Sequence, residues 1–259
     1  VAGGHLLNLQ LENFTMLKEF AKTSTAKRKW YPLWAINFDG SPYKLDYRND
    51  TNFVREIPAA FEIVDKAYQL YLWTGDNGYL TDDALWAYYS RIVSEFITLH
   101  DTRIPNGVAE GDGSGNIFRG SATFNEERSI PLVEAGDGIA CQYMALRAYA
   151  LMARARSEEK LYSEYYVKAQ KLKSYFNAEW SVKPGTRNLV RGYNLEGEPL
   201  TNWGKENSWF MLMKEITEPS ERREHYLDFI DRSASSGKGK PSNIEARSYL
   251  SETFFNNNR

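Results

Sequence analysis

Carboxylates and aromatic side chains recur in four segments of the sequence, each lying just before or at the start of a predicted helix. The candidate residues in these segments are Arg48, Asp50, Glu110, Asp137, Trp203, Glu206, Trp209 and Glu245. Two carboxyl groups can act as acid and as base or nucleophile around an oxocarbenium-like transition state. Aromatic rings offer flat faces on which sugar rings stack. The combination indicates a site for carbohydrate chemistry.

Each candidate also has a structural interpretation. An aspartate such as Asp50 is a common N-cap, and Ser242 with Glu245 fits a capping box. Glu206 falls in the first turn of a predicted helix, where the dipole favours an acid. The remaining residues could be solvated turn residues, a helix cap or core aromatics: Glu110, Asp137, Trp203 and Trp209. The interpretation as a site therefore depends on whether the fold gathers these residues.

Three further aspartates have a different predicted role. Asp76, Asp82 and Asp83 belong to the short segment TGDNGYLTDD between two predicted helices. We predict that they form the turn and cap the following helix, on the face opposite the candidate site.

The apolar periodicity predicts an all-α chain. The predicted helices are 5–24, 53–74, 82–101, 136–156, 159–180, 206–216, 219–233 and 243–256. Short connections alternate with long ones, which is typical of αα-hairpins. Within a hairpin, the first helix is apolar nearly all round and the second carries a polar stripe, so the first is predicted to be buried.

Hairpins of this kind, placed side by side, form an α/α toroid with the buried helices inside. The starts of the inner helices, and the long loops that precede them, then share one face. We interpret residues 1–259 as a single catalytic domain with this partial toroid fold, containing about four of six hairpins and incomplete at its C-terminus.

Composition excludes several classes of function. Lysine and arginine total 32 against 34 acidic residues, a net charge of -2, which gives no electrostatic basis for nucleic-acid binding. No apolar run approaches the roughly 20 residues that span a bilayer. The single cysteine, Cys141, and three dispersed histidines form no metal-binding spacing, and no cofactor motif is present, so we predict neither a metal nor a cofactor.

Five short motifs, taken in order, resemble the six-hairpin glycosidases, the (α/α)6 toroids that include glucoamylase-like enzymes. The motifs are YRND at 47–50, NGVAEGDG at 106–113, GDGIACQYMALRAYALM at 136–152, NWGKENSWFML at 202–212 and SNIEARSYLSETFF at 242–255. Two depart from the glucoamylase pattern: YRND has an extra Asn between Arg and Asp, and WGKE places Glu three residues after Trp rather than beside it.

The resemblance implies a glycoside hydrolase that cleaves an oligo- or polysaccharide with inversion. By its pattern Glu206 would be the general acid and Glu245 the second carboxylate. Arg48 and Asp50 would grip ring hydroxyls. The other residues implied to bind or position the sugar are Glu110, Asp137, Trp203 and Trp209. The resemblance also implies export to the periplasm or medium, and completion of the ring by the rest of the full-length chain.

Two alternatives remain open. The same toroid is used by polysaccharide lyases and sugar epimerases, for which the base and the carboxylate-neutralising groups would come from Tyr47, Tyr249, Arg48 and Arg247. A non-catalytic glycan-binding module would need only the aromatic residues and the hairpin packing.

Overall fold

The computed structural model describes residues 2–37, 39–124, 131–202, 209–235 and 244–258. The helices are α1 (Ala2–Thr23), α2 (Ile57–Thr74), α3 (Gly78–Thr81), α4 (Asp83–Arg91), α5 (Ile97–His100), α6 (Gly136–Ala155), α7 (Glu159–Tyr175), α8 (Phe210–Met213), α9 (Glu221–Ser235) and α10 (Ile244–Asn256). The strands are β1 (Tyr47–Asn49), β2 (Asn52–Phe53), β3 (Glu134–Ala135), β4 (Gly192–Tyr193) and β5 (Pro199–Leu200).

The all-α prediction is confirmed, together with the alternation of buried and solvent-facing helices. Helices α2 and α6 lie side by side, and α6 is buried along most of its length. Helices α4 and α7 cover them from outside, and α8 continues the inner row beyond α6. The arrangement resembles part of an (α/α)6 toroid. None of the described helices is both long enough and apolar enough to cross a membrane.

Aromatic side chains join the inner and outer helices. Phe61 of α2 meets Phe96, which follows α4, edge to face with ring centroids 5.5 Å apart. Tyr149 of α6 meets Tyr165 of α7 in the same manner at 4.8 Å. Such pairs contribute about 0.5–1.5 kcal/mol beyond the burial of their area. The heavy aromatic content of the sequence is therefore used largely in hairpin packing.

Two outer helices end in π-helical turns. Ile92–Phe96 joins α4 to α5, so that 83–100 is one continuous helical rod. Phe176–Trp180 likewise extends α7. These rods correspond closely to the predicted helices 82–101 and 159–180. In both turns the large aromatic residues are buried, which ties the ends of the outer helices to the core.

The predicted start of the first inner helix at residue 53 is wrong. Asn52 and Phe53 form β2, which pairs with β1, and α2 begins only at Ile57. Phe53 and Val54 are buried in extended backbone, so their apolar character serves the core without extending the helix. Asp50 is consequently not the N-cap of α2, because Glu56 holds that position.

The predicted helix 206–216 ends earlier than expected. Helix α8 stops at Met213, and Glu215 adopts the left-handed conformation with φ 55°. This geometry is uncommon for a residue other than glycine, and it turns the chain out of the helix. The absence of a glycine or proline at this point explains why the sequence did not signal the end.

The turn after α2 behaves as predicted, with one addition. The Asp82 carboxylate caps α4 by accepting from the backbone N–H groups of Ala84 and Leu85, and Asp76 accepts from Gly78. Asp83 lies in the first turn of α4. The segment also contains α3, a single helical turn that is too short to show a hydrophobic period in the sequence.

Two glycines allow the first turn of α6 to lie close to neighbouring segments of the chain. A Cβ atom on Gly136 would lie 2.6 Å from Sδ of Met211 in α8, and one on Gly138 would lie 2.8 Å from the carbonyl oxygen of Ala122. Both separations are shorter than side-chain carbons tolerate. The GDG sequence therefore lets α8 and the loop containing Ala122 approach the start of α6.

Candidate active site

The first turns of α2 and α6 meet at the loop 117–124, and we call this junction the rim. The loop pairs with the segment before α2, because Ser121 accepts from the N–H of Ile57 at 2.9 Å and donates its own N–H to Arg55 at 2.8 Å. Beyond it, Phe124 contacts Phe210 at the start of α8 with ring centroids 5.6 Å apart. The starts of three inner helices thus come together on one face.

Glu110 is buried beside the rim and holds a turn. Its side-chain oxygens accept from the backbone N–H groups of Thr102, Arg103 and Ile104 at 3.1, 2.9 and 2.6 Å. Only 4% of the residue is exposed. With its lone pairs directed at the backbone, Glu110 is placed to shape the loop 101–112, and this favours the structural interpretation over contact with a substrate.

Asp137 joins the rim to α6. One carboxylate oxygen accepts from the Thr123 hydroxyl and from the N–H of Phe124, both at 2.9 Å, and the other accepts from Gly138 at 3.0 Å. The residue is buried. Asp137 thereby locks the end of the rim loop to the first turn of α6, which again corresponds to the structural alternative.

Arg48 and Asp50 lie close in sequence but do not pair. Arg48 is exposed, and its guanidinium lies 5.6 Å from the ring centroid of Phe118 on the rim. Asp50 instead accepts from Arg28 at 2.6 Å and from the hydroxyl of Tyr47 at 2.7 Å. These bonds, first that from Arg28, hold the pKa of Asp50 below its usual range. Asp50 is therefore an anion, and its side chain keeps 38% of its surface exposed.

The remaining predicted site residues are in the core or are not fully described by the structure. Trp209 is 6% exposed and belongs to the hydrophobic core, so its ring is used in packing and offers no open face to a sugar. Trp203 and Glu206 lie outside the described residues. Glu245 falls within α10, at a position where the structure describes only the backbone. The roles of Trp203, Glu206 and Glu245 stay predictions.

The residue that precedes the undescribed segment is linked to the rim. Asn202 accepts from Nε of Arg191 at 3.1 Å, and the carbonyl oxygen of Arg191 accepts from the N–H of Gly136 at 2.8 Å. Strands β3, β4 and β5 form a small antiparallel sheet around this contact, directly before α6.

Glu134 in β3 is an acid that the sequence did not distinguish from its neighbours. It is 1% exposed and accepts from Nε1 of Trp180 at 2.5 Å and from Nδ2 of Asn106 at 2.8 Å. Burial raises the pKa of Glu134 to about 7, and these two hydrogen bonds only partly oppose it. Trp180 is 46 residues away in sequence, and no local pattern could have indicated this partner.

The raised pKa makes Glu134 a source of pH-dependent stability. In the unfolded chain the carboxyl loses its proton near pH 4.5, whereas the folded protein retains it to about pH 7. Between these values the folded state binds more protons, so rising pH should lower the free energy of unfolding by roughly 3 kcal/mol in total. Urea unfolding at pH 4.5 to 8 measures this, and the decline should be absent in Glu134→Gln.

The comparison with Glu134→Gln is needed because other groups titrate in the same range. Burial lowers the pKa of His100 to about 4, so its contribution to stability rises with pH, opposite in sign to that of Glu134. The difference between wild type and Glu134→Gln removes the His100 contribution. The exposed Glu198→Gln is the matched control. A difference curve that stays flat between pH 4.5 and 7 would refute the assignment.

A buried charge cluster lies between the inner helices. Nζ of Lys214 is 2.5 Å from Glu62 and 2.9 Å from Asp65, and the Cys141 thiol donates to the same Glu62 oxygen at 3.2 Å. Burial alone would lower the pKa of Lys214, but the two carboxylates outweigh it and raise the pKa well above its ordinary value. The cluster links α2, α6 and the end of α8.

A cleft of about 380 Å³ opens beside this cluster, between α2, α6, α10 and the end of α8. Its lining residues include Asp65, Tyr68, Gln69, Arg147, Lys214, Glu215 and Glu252. Residues of α2, α6 and α10 and the end of α8 thus line one cleft. Its charged and hydroxyl-bearing lining distinguishes it from the apolar packing between the inner and outer helices.

No protein-family model and no curated protein matches the sequence. A cellobiose 2-epimerase from Bacillus thermoamylovorans B4167 has a similar structure with a TM-score of 0.46 and 11% sequence identity, over 95% of this chain and 74% of that chain. A similarity this distant assigns no activity to the chain.

Proposed function

We propose that this chain is part of a glycoside hydrolase that uses two carboxyl groups, with Glu206 as general acid and Glu245 as the second carboxylate. The observation that supports the proposal is the convergence of the starts of α2, α6 and α8 on one rim. In a ring of αα-hairpins, residues that precede inner helices reach the same opening. In sequence, Glu206 precedes α8 and Glu245 is the second residue of α10, so we expect both acids at this opening.

In this proposal the chemistry is inverting. Glu206 gives its proton to the leaving glycosidic oxygen, and Glu245 takes a proton from the attacking water. Such carboxyl pairs are separated by about 6.5–9.5 Å so that the water fits between the sugar and the base. At one pH, Glu206 must be protonated and Glu245 must be ionised, which requires different surroundings for the two carboxyl groups.

The described residues would serve binding and loop position. Arg48 is exposed on the rim, and Asp50 keeps a fixed negative charge through Arg28. Both can form charge-assisted hydrogen bonds to ring hydroxyls. Glu110 and Asp137 would act on the sugar only indirectly, because their hydrogen bonds hold the loops that border the rim.

Product analysis with the full-length protein tests the proposal. The protein is incubated with α- and β-linked oligosaccharides, both neutral and acidic, and products are followed by release of reducing ends and by NMR of the anomeric proton. We expect cleavage with inverted configuration in the first product. An unsaturated product that absorbs in the ultraviolet, an epimer formed without cleavage, or binding without any reaction would each overturn the proposal.

A further inference from the structure

A second cleft, which we call the basic cleft, lies beside the rim loop, between the turn that follows α1, the segment before α2 and the loop after α5. Its volume is about 340 Å³, within the range of small-molecule sites. Its charged lining residues are Lys27, Arg28, Lys29, Arg55, Arg103, Glu110, Asp112 and Arg119. Six cations thus face two carboxylates in a chain whose net charge is -2.

Half of these cations have a carboxylate partner. Lys27 and Arg28 pair with Asp50 at 3.1 and 2.6 Å. Arg119 pairs with Asp112 at 2.7 Å. Two carboxylates thus offset two of these three positive charges.

The other three cations, Lys29, Arg55 and Arg103, form no ion pair with any described carboxylate. Arg55 donates to the carbonyl oxygens of Thr51 and Phe118, and Arg103 donates to that of Asp112 at 2.9 Å. Carbonyl groups satisfy hydrogen bonds but leave the positive charges unneutralised.

Arg55 is the clearest example of a cation whose charge is not neutralised by a described carboxylate. It is half-buried above the ring of Phe53, at 4.4 Å from the centroid, and burial lowers its pKa. A cation withdrawn from water is costly without an opposite charge nearby. A bound anion in the basic cleft would supply that charge.

The uncharged wall of the basic cleft consists of two buried rings and one exposed aliphatic side chain. Tyr31, Leu99 and His100 contribute to it, and Tyr31 contacts His100 edge to face at 4.8 Å. The pKa of His100 is lowered to about 4 by burial, so the imidazole is neutral at pH 7 and adds no further charge. Leu99 is 49% exposed, whereas Tyr31 and His100 are buried behind it, so Leu99 is the apolar surface beside the uncompensated cations that a ligand with a carbon ring and an anionic group can contact.

We propose that the basic cleft binds an acidic oligosaccharide through a carboxylate or sulfate group held by Lys29, Arg55 and Arg103. This deepens the proposed function, on which it rests for the choice of a glycan, by naming an acidic polysaccharide as the substrate class. The cleft lies beside the rim, since Arg55 is two residues before α2. A chain bound in it can therefore extend towards the rim.

Binding is measured by isothermal titration calorimetry with the full-length protein. The probes are hexagalacturonate, a heparin-derived hexasaccharide, neutral cellohexaose and inorganic sulfate. We expect one of the two acidic hexasaccharides to bind at least about tenfold more tightly than cellohexaose and sulfate, and more weakly as salt increases. Tight binding of hexagalacturonate, which has no sulfate, would show that carboxylates suffice. Binding of the heparin hexasaccharide alone, which carries both groups, would show that sulfate is required.

The test variant is Lys29→Gln with Arg103→Gln, both at exposed positions. The matched control, Lys160→Gln with Lys171→Gln, removes the same charge from exposed positions on α7. The test variant should bind the acidic hexasaccharide at least about tenfold more weakly, because two charge-assisted contacts are lost. The control should bind within about twofold of wild type.

Several results would overturn the assignment. They are failure of both acidic hexasaccharides to bind, equal affinity for inorganic sulfate, and equal loss in the control variant. Binding is measured apart from turnover, and Glu206→Gln should bind normally. If acidic glycans bind but are not cleaved, the proposed hydrolase activity is refuted and the basic cleft is retained. If only neutral glycans are cleaved, the assignment of the basic cleft to acidic glycans is refuted.

Discussion

Replacing Glu206 with glutamine is expected to lower kcat for oligosaccharide cleavage by about a hundred- to ten-thousandfold, the usual contribution of a general acid or base. Glutamine has nearly the same shape but cannot deliver a proton to the leaving oxygen. Substrate binding should change little, since the loss occurs in the transition state. Initial rates give kcat, and titration of the inactive variant gives Kd.

A nearby acid provides the control for this experiment. Glu196 is exposed in the turn between β4 and β5, within the same long connection that leads to α8. Glu196→Gln makes the same chemical change and should retain wild-type kcat. Full turnover by Glu206→Gln would remove Glu206 from the mechanism, and a rise in KM without a fall in kcat would assign it to binding alone.

The sequence predicted the helices well because their signals are local. The apolar residues of 57–74 and 136–155 repeat with helical period, and the turn after α2 contains glycine and the capping residue Asp82. The boundary error before α2 has a local cause as well. Phe53 and Val54 extend the apolar pattern of the helix although they lie in extended backbone, and periodicity cannot distinguish the two cases.

The candidate site was less predictable because its contacts are distant in sequence. An acid in a glycine-rich loop has the same local signature whether it binds a ligand or three backbone N–H groups, as Glu110 does. Asp50 was expected to act with Arg48, but its partner, Arg28, comes from a preceding loop. Only the packing of the hairpins decides these pairings.

The buried charge cluster is weakly indicated by the sequence of α2. Glu62 and Asp65 are three residues apart in the largely apolar stretch FEIVDKAYQLYLW, so they occupy one face of α2. Two acids on a buried helix need a cation or a polar cavity. Their partner, Lys214, is 149 residues beyond Asp65 and could not be identified from the sequence.

Replacing Lys214 with methionine is expected to reduce the free energy of unfolding by about 3–5 kcal/mol, the usual cost of removing one partner of a buried ion pair. Methionine fills a similar volume, so the loss arises mainly from charge. Glu62 and Asp65 would be left as two neighbouring carboxylates without a cation, and the side chain of Asp65 is only 2% exposed. Urea unfolding at pH 7, with the m-value checked for constancy, measures the change.

Two further variants separate charge from packing. Lys168→Met removes the cation of an exposed pair with Glu164 at 2.7 Å and should change stability by less than about 0.5 kcal/mol. Adding Glu62→Gln and Asp65→Asn to Lys214→Met removes the unpaired carboxylates and should recover at least about half of the loss. If the triple variant is no more stable than Lys214→Met alone, the destabilisation comes from lost packing around the end of α8. The cluster would then hold the inner helices together by shape and not by charge.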